Sequence, residues 1–344
     1  MTHFISNSQR ILCLSLFLLC SIFIVNPVPA EEIIYASLNP QNRKIEIRIS
    51  DVNGNNARKL FSPPVFVQEI SIQKVDRYIL CVGEGVGNET GFDAYLFDTE
   101  QLNYGMKDLT YGRFSFILDA AISSNGDIVF ANSIYFEYSD GIYFIPNHEI
   151  HEPIPKAEKL FDGPAGYVDW SPNGKDVVFS NKEGIFLLDT FTKEVSQILE
   201  YGLRPVFSPD GTKVAFYVYT PKENNQKWVW EVGVISLQDP QNVKVFEKTK
   251  TDLFLKYLTW TPDGKSIAYA LVNDKLDKQR GVWEYLNFAV SVEDGKIRPI
   301  FRNFEGGIRV WEWTKESFPL NPVAKLTTTW GKLKRDTGKG GQNE

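Results

Sequence analysis

Histidine, cysteine and methionine are nearly missing from these 344 residues, with three, three and two copies respectively. Cys13 and Cys20 fall in an apolar N-terminal run, so the chain beyond it holds one thiol and cannot form an internal disulfide. That thiol, Cys81, sits among Ile79, Leu80 and Val82, the surroundings of a buried inert group rather than a nucleophile. Beyond the same run the histidines are His148 and His151, in a proline-containing stretch, and His148-Glu149-Ile150-His151 lacks the spacing of a zinc-binding helix. The G-x-S-x-G elbow of an α/β-hydrolase is absent as well. Asp51-Val52-Asn53-Gly54-Asn55-Asn56 alternates like a calcium loop, but Asn56 stands where glycine is needed and Ser62 where glutamate is needed. A hairpin turn at Asn53-Gly54 accounts for it. These absences lead us to expect no metal and no cofactor. The net charge of −6 makes nucleic acid an unsuitable partner.

Long hydrophobic runs are scarce too. The one that stands out, Ile11 to Val25 behind Arg10, is short for a bilayer span. It is followed by Val28-Pro29-Ala30 ahead of Glu31, the small-residue spacing of a signal-peptidase site. Residues 1–30 are therefore expected to be a signal peptide, and the product to be periplasmic or secreted, with no integral membrane span after cleavage.

What is present is repetition. Trp170-Ser171-Pro172-Asn173-Gly174, Phe207-Ser208-Pro209-Asp210-Gly211 and Trp260-Thr261-Pro262-Asp263-Gly264 each lead into a β-branched, aromatic-rich run. The aromatic ends one strand in the core, proline and Asp/Asn set a tight turn, and glycine takes the positive φ. A second, third and fourth strand follow each copy, as in Asp176 to Ser180, Ile185 to Asp189 and Val195 to Leu199. Four short antiparallel strands per unit define a propeller blade. The register continues backward through Ser123-Ser124-Asn125-Gly126 and Val75-Asp76-Arg77.

The segments Ile33 to Ser37, Ile45 to Asp51 and Ala57 to Phe61 read as strands two to four of a blade with no first strand, while Gly307 to Trp313 reads as a first strand with nothing after it. Each end supplies what the other lacks. The expected fold is all-β: a six-bladed β-propeller of four-stranded antiparallel blades over residues 31–317, closed by pairing of the C-terminal strand with the N-terminal strands. Residues 318–344 are expected to form a C-terminal extension, disordered beyond 334.

The turn phrases Ser208-Pro209-Asp210-Gly211-Thr212-Lys213, Thr261-Pro262-Asp263-Gly264-Lys265 and Ser171-Pro172-Asn173-Gly174-Lys175, with the blade ending Asp108-Leu109-Thr110, resemble the TolB-type propeller repeat. The resemblance covers about residues 33 to 313. It implies a fold and not a function. TolB carries an additional α/β domain before its propeller, whereas here a strand follows the expected cleavage site directly, so the partners of TolB are not carried over. Lyases with a related propeller hold a metal with several histidines, more than this chain has, and peptidases with a similar propeller need a hydrolase domain.

Antiparallel blades put the Pro-Asp-Gly turns on one face of the ring and the hairpins between strands two and three on the other. The second face receives the long stretches Gly83 to Phe92, Asn132 to Gly141, Thr220 to Val229 and Val272 to Val282, read as loops. Their aromatics Tyr135, Tyr138, Tyr219, Trp228, Trp230 and Trp283 are the candidate partner-binding residues, because aromatic rings bury large area at low entropy cost. Packing between blades is the competing role for them. The expected function is non-catalytic binding of a protein, peptide or glycan by a monomer. The alternative is a carboxylate-based hydrolase or lyase in the central channel, with Asp119, Asp169 and Glu312 as the acids to inspect.

Overall fold

The computed structural model describes residues 32–39, 41, 44–63, 72–84, 91–101, 105–135, 138–220, 229–246, 254–277, 282–301, 304, 308 and 310–314. The expected signal peptide and C-terminal extension lie outside them. Within them the chain forms six four-stranded antiparallel sheets. Blade 2 holds β4 (Ile72–Val75), β5 (Tyr78–Glu84), β6 (Phe92–Asp98) and β7 (Met106–Asp108). Blade 3 holds β8 (Ile117–Ile122), β9 (Ile128–Tyr135), β10 (Tyr138–Ile145) and β11 (Glu158–Asp162). Blade 4 holds β12 (Val168–Trp170), β13 (Asp176–Asn181), β14 (Gly184–Asp189) and β15 (Val195–Leu199). Blade 5 holds β16 (Leu203–Phe207), β17 (Lys213–Thr220), β18 (Val229–Ser236) and β19 (Val243–Phe246), and blade 6 holds β20 (Phe254–Trp260), β21 (Ser266–Asp277), β22 (Val282–Ser291) and β23 (Ile297–Pro299).

Blade 1 is composite. Its order is β24 (Val310–Thr314), β1 (Glu32–Leu38), β2 (Ile45–Asp51) and β3 (Arg58–Phe61). β24 runs antiparallel to β1 in a register from Glu32↔Thr314 to Ala36↔Val310, which closes the ring as the sequence required. Closure leaves no blade with an unpaired inner neighbour.

The turn chemistry explains why the repeat phrase recurs. Ser208 donates its hydroxyl to Asp210 Oδ1 at 2.6 Å and accepts from the Lys213 N–H at 2.9 Å, while Thr212 N donates to Asp210 at 3.0 Å. Gly211 then sits at φ 70°. These donors, the Ser208 hydroxyl foremost, hold the Asp210 carboxyl down at about 2. Asn173 does the same work beside Ser171, and Asp263 beside Thr261.

The core is not one mass but six, and each lies between neighbouring blades. Ile34, Ile47 and Ile49 meet Ile72, Ile79 and Phe97 between blades 1 and 2. Alternation sends Ile33 and Tyr35 the other way, onto Ala268, Ala289 and Trp311 between blades 6 and 1. A strand buried on both faces reads as a continuous apolar run, which is why Ile33-Ile34-Tyr35-Ala36 lacks any polar position.

The hairpin face differs from expectation in one respect. Much of what was read as loop continues as paired strand: β9 and β10 run on to Tyr135 and Tyr138, and β21 and β22 pair Asn273 with Glu284 and Asp277 with Val282. In blade 3 the polar residues Asn132 and Ser133 mimic loop composition, yet they are buried. Asn132 is buried, donates to Asp140 at 3.1 Å and accepts from the Phe116 N–H at 3.2 Å. Blade 4 instead turns tightly at Asn181–Gly184. By strand register, Val272–Asp277 projects past the level of that turn by roughly 20 Å at ~3.3 Å per residue. The face is thus a bowl with tall walls on blades 3, 5 and 6 and a notch at blade 4.

Candidate functional site

The six inner strands surround a cavity of about 780 Å³, within the size range of ligand pockets. Two positions recur in the lining supplied by the inner strands. One directly precedes the last core side chain of the strand, and the other lies two residues earlier, on the same side of an alternating strand. The first gives a tier near the turn face that holds Gln73, Asp169, Val206, Thr259 and Glu312. The second gives a tier nearer the bowl that holds Asp119, Tyr167, Arg204 and Tyr257. All three acids named from the sequence therefore share one cavity.

Hydrogen bonds show what those acids do. Gln73 on blade 2 accepts from Ile122 N on blade 3 at 2.9 Å and donates to Asp169 Oδ1 on blade 4 at 3.1 Å, so its amide reaches past a whole blade. Asp169 Oδ2 accepts from Phe207 N on blade 5 at 2.8 Å. At the intervening interfaces the tie runs the other way: Trp170 Nε1 donates to the Ala121 carbonyl at 3.2 Å, and Trp260 Nε1 to the Val206 carbonyl at 3.1 Å. Side-chain acceptor and indole donor alternate around four consecutive interfaces. Asp119 Oδ2 adds a tie to Val168 N at 3.3 Å.

Burial raises the Asp169 carboxyl to about 7, and the Asp119 charge adds to that push, against the Phe207 N–H and the Gln73 amide, which favour the anion. The group is enclosed by protein on most sides, and the residue keeps partial exposure toward the channel. Burial also lifts the Tyr257 hydroxyl far above its usual range, with Glu312 and Asp119 adding to the effect.

Arg204 is the side chain that sequence reasoning missed. Its guanidinium lies 4.0 Å from the centre of the Tyr167 ring, donates to the Tyr167 hydroxyl at 3.2 Å and donates to the Lys256 carbonyl at 3.0 Å. The signal was available in the spacing: Tyr167, Arg204 and Tyr257 each stand three residues before the strand-ending aromatic, at Trp170, Phe207 and Trp260.

The aromatics named from the sequence are distributed as follows. Tyr135 and Tyr138 face each other across the β9–β10 end, Tyr219 lies on β17 opposite Trp230, and Trp283 lies on β22. The side chains of Tyr135, Tyr138, Tyr219 and Trp283, and all of Trp228, lie outside the described residues. Trp230 packs edge-on to Tyr217 with centroids 6.5 Å apart, within the core between blades 5 and 6. His148 and His151 occupy a short 3-10 turn, Asn147–His151, in the β10–β11 link of blade 3, beside its Ser123–Gly126 turn. Cys81 is buried between blades 1 and 2. Among the described residues, no group of three or more His, Cys, Asp and Glu side chains is placed to hold a metal ion.

Six blades, the composite first blade and the Ser-Pro-Asp-Gly turns decide the architecture. The fold is a TolB-type six-bladed propeller. TolB from Acinetobacter baumannii superposes with a TM-score of 0.60 at 18% identity, over 82% of this chain and 66% of its own. This chain thus spans just under two thirds of that protein's length. A putative TolB from Agrobacterium tumefaciens superposes with a TM-score of 0.54 at 13% identity, over 78% of this chain and 87% of its own. No protein-family model and no curated protein sequence matches. At such identities the likeness to TolB concerns the fold alone.

Proposed function

We propose that this chain is an extracytoplasmic, non-catalytic binding propeller whose bowl and channel mouth receive a protein or peptide. The reading rests on one observation, the inequality of the two faces. On the turn face the links between first and second strands are short, internally bonded turns and the longest described link is residues 146–157 of blade 3, whereas the opposite face carries hairpin walls of unequal height around the mouth of a cavity of about 780 Å³. Tyr135, Tyr138, Tyr219 and Trp283 belong to the strands of those walls, and aromatic residues suit a partner surface. The apolar run behind Arg10 and the Val28-Pro29-Ala30 spacing support export.

The channel acids favour binding over chemistry, because both oxygens of Asp169 and one of Asp119 accept backbone or amide N–H groups that tie blades together. A second reading, a carboxylate-based hydrolase or lyase acting on a polysaccharide or peptide, draws on the meeting of Asp119, Asp169 and Glu312 in one cavity. Substrate turnover abolished by Asp169→Ala with binding retained selects it.

Photo-crosslinking tests the first reading. A photoreactive residue at the exposed Lys182, in the notch of the bowl, is expected to form adducts in cell-envelope extract, and one at the exposed Asn173 on the turn face is not. Adducts from Asn173 alone reverse the assignment of faces.

A further inference from the structure

The bowl-side mouth of the channel carries a charge pattern that the reading above does not use. Arg204 occupies φ 49°, a left-handed conformation that residues with a side chain avoid, and Pro205 follows it, which restricts it further. Strain of this kind persists where the surroundings hold it and clusters at ligand clamps. Here Tyr167 supplies a stacking surface and a hydroxyl acceptor, and the Lys256 carbonyl supplies a second acceptor, so the guanidinium plane is set before any ligand arrives. Lys256 lines the same side of the cavity. A planar, pre-oriented guanidinium, with a lysine among the same lining residues, matches a carboxylate.

The acids restrict the choice of ligand. Asp169 and Glu312 lie one tier deeper, and Asp119 lies on the wall of blade 3, away from blades 5 and 6 where the two cations sit. A polyanion such as an oligouronate meets attraction at one wall and repulsion at the others. A ligand with a single carboxylate and a row of N–H donors meets neither problem, and Asp119 and Asp169 already accept backbone N–H groups from Val168 and Phe207.

We propose that Arg204, Lys256 and Tyr167 form a subsite for the terminal carboxylate of a peptide, which enters from the bowl and stops above the acidic tier. This deepens the binding reading and rests on it.

Equilibrium dialysis of the purified protein tests the subsite with two probes, an equimolar tetrapeptide library with free carboxyl termini and the same library amidated, quantified by mass spectrometry. The expected result is at least about tenfold greater retention of the acids. Arg204→Gln is expected to erase the preference, and Tyr167→Phe, which keeps the stacking ring, to preserve most of it. Equal retention of both libraries, no retention of either, a preference that survives Arg204→Gln, or selection of oligogalacturonate over peptides overturns the proposal. The wild-type comparison stands whether or not a variant folds. Adducts from Lys182 without peptide selection leave bowl binding in place and remove the subsite; selection without adducts supports the subsite and the channel mouth as a peptide site and removes only the wider bowl as a partner surface.

Discussion

Replacing Asp169 with asparagine tests the physical account of the channel. The carboxyl sits at about 7 in the folded protein because burial penalises its charge, whereas an unfolded chain holds it near 3.9. The native state therefore binds the proton more tightly. Stability contributed by the protonated form is complete below about pH 4, declines as pH rises toward 7, and is gone above it. Taken in full, the difference corresponds to about 4 kcal/mol, and since the residue keeps partial exposure toward the channel we work with about half of that, ~2 kcal/mol. Asparagine cannot titrate. It keeps an acceptor for the Phe207 N–H but turns an amino group toward the amide of Gln73, a pH-independent cost of about 1 kcal/mol. The expected signature is a change in the stability difference: the variant gains about 2 kcal/mol on wild type between about pH 4 and pH 7, or about 4–8 °C in melting temperature. Reversible urea and thermal unfolding at four pH values across that range measure it. A difference that stays constant with pH, or a variant that loses ground as pH rises, refutes the reasoning.

The other expectations concern the frame. Trp170→Phe removes the indole tie to the Ala121 carbonyl between blades 3 and 4 and is expected to cost about 1–3 kcal/mol in urea unfolding; an unchanged midpoint argues against the ties as stabilising contacts. Gly184 has φ 134°, and a Cβ there would lie 2.0 Å from the Leu199 carbonyl oxygen, so Gly184→Ala should cost on the order of 3 kcal/mol or more. Gly105→Ala, at φ 72° with nothing within 4 Å, should cost only about 1 kcal/mol, and equal losses at the two sites count against steric crowding as the cause. Burial lifts the Cys81 thiol to about 12, so labelling by a disulfide reagent at pH 8 should track global unfolding, and rapid labelling of the folded protein contradicts its placement.

The ring could be read from the sequence because its grammar is local. Ser-Pro-Asp-Gly with a preceding aromatic states a turn, its hydrogen bonds and the phase of two strands at once, and the phase carried through to Ser123-Ser124-Asn125-Gly126, where Gly126 at φ 85° does the same work. The orphan first strand at Gly307 to Trp313 likewise found its partner in β1. Hairpin height was not legible, since Asn132 and Ser133 look like loop residues until Asp140 and the Phe116 backbone appear beside them. Asp119, Asp169 and Glu312 were found because acids on inner strands are conspicuous; the service of Asp119 and Asp169 as ties was not, because their donors lie on other blades about 40 to 100 residues away. Arg204 was signalled only by its place three residues before Phe207, in phase with Tyr167 and Tyr257; its left-handed backbone and its stacking on a tyrosine 37 residues upstream are not announced by Leu203-Arg204-Pro205.

The Glu32↔Thr314 pair carries a geometric corollary for anything attached to this molecule. By strand phase both residues sit at the rim that bears the Ser-Pro-Asp-Gly turns, so the polypeptide arrives and departs on that side. A module joined directly ahead of Glu32 or directly after Thr314 then hangs from the underside and leaves the hairpin-walled opening pointing away from its point of attachment. A tag, bead or lipid linked at either of those two positions should present the mouth outward without further engineering.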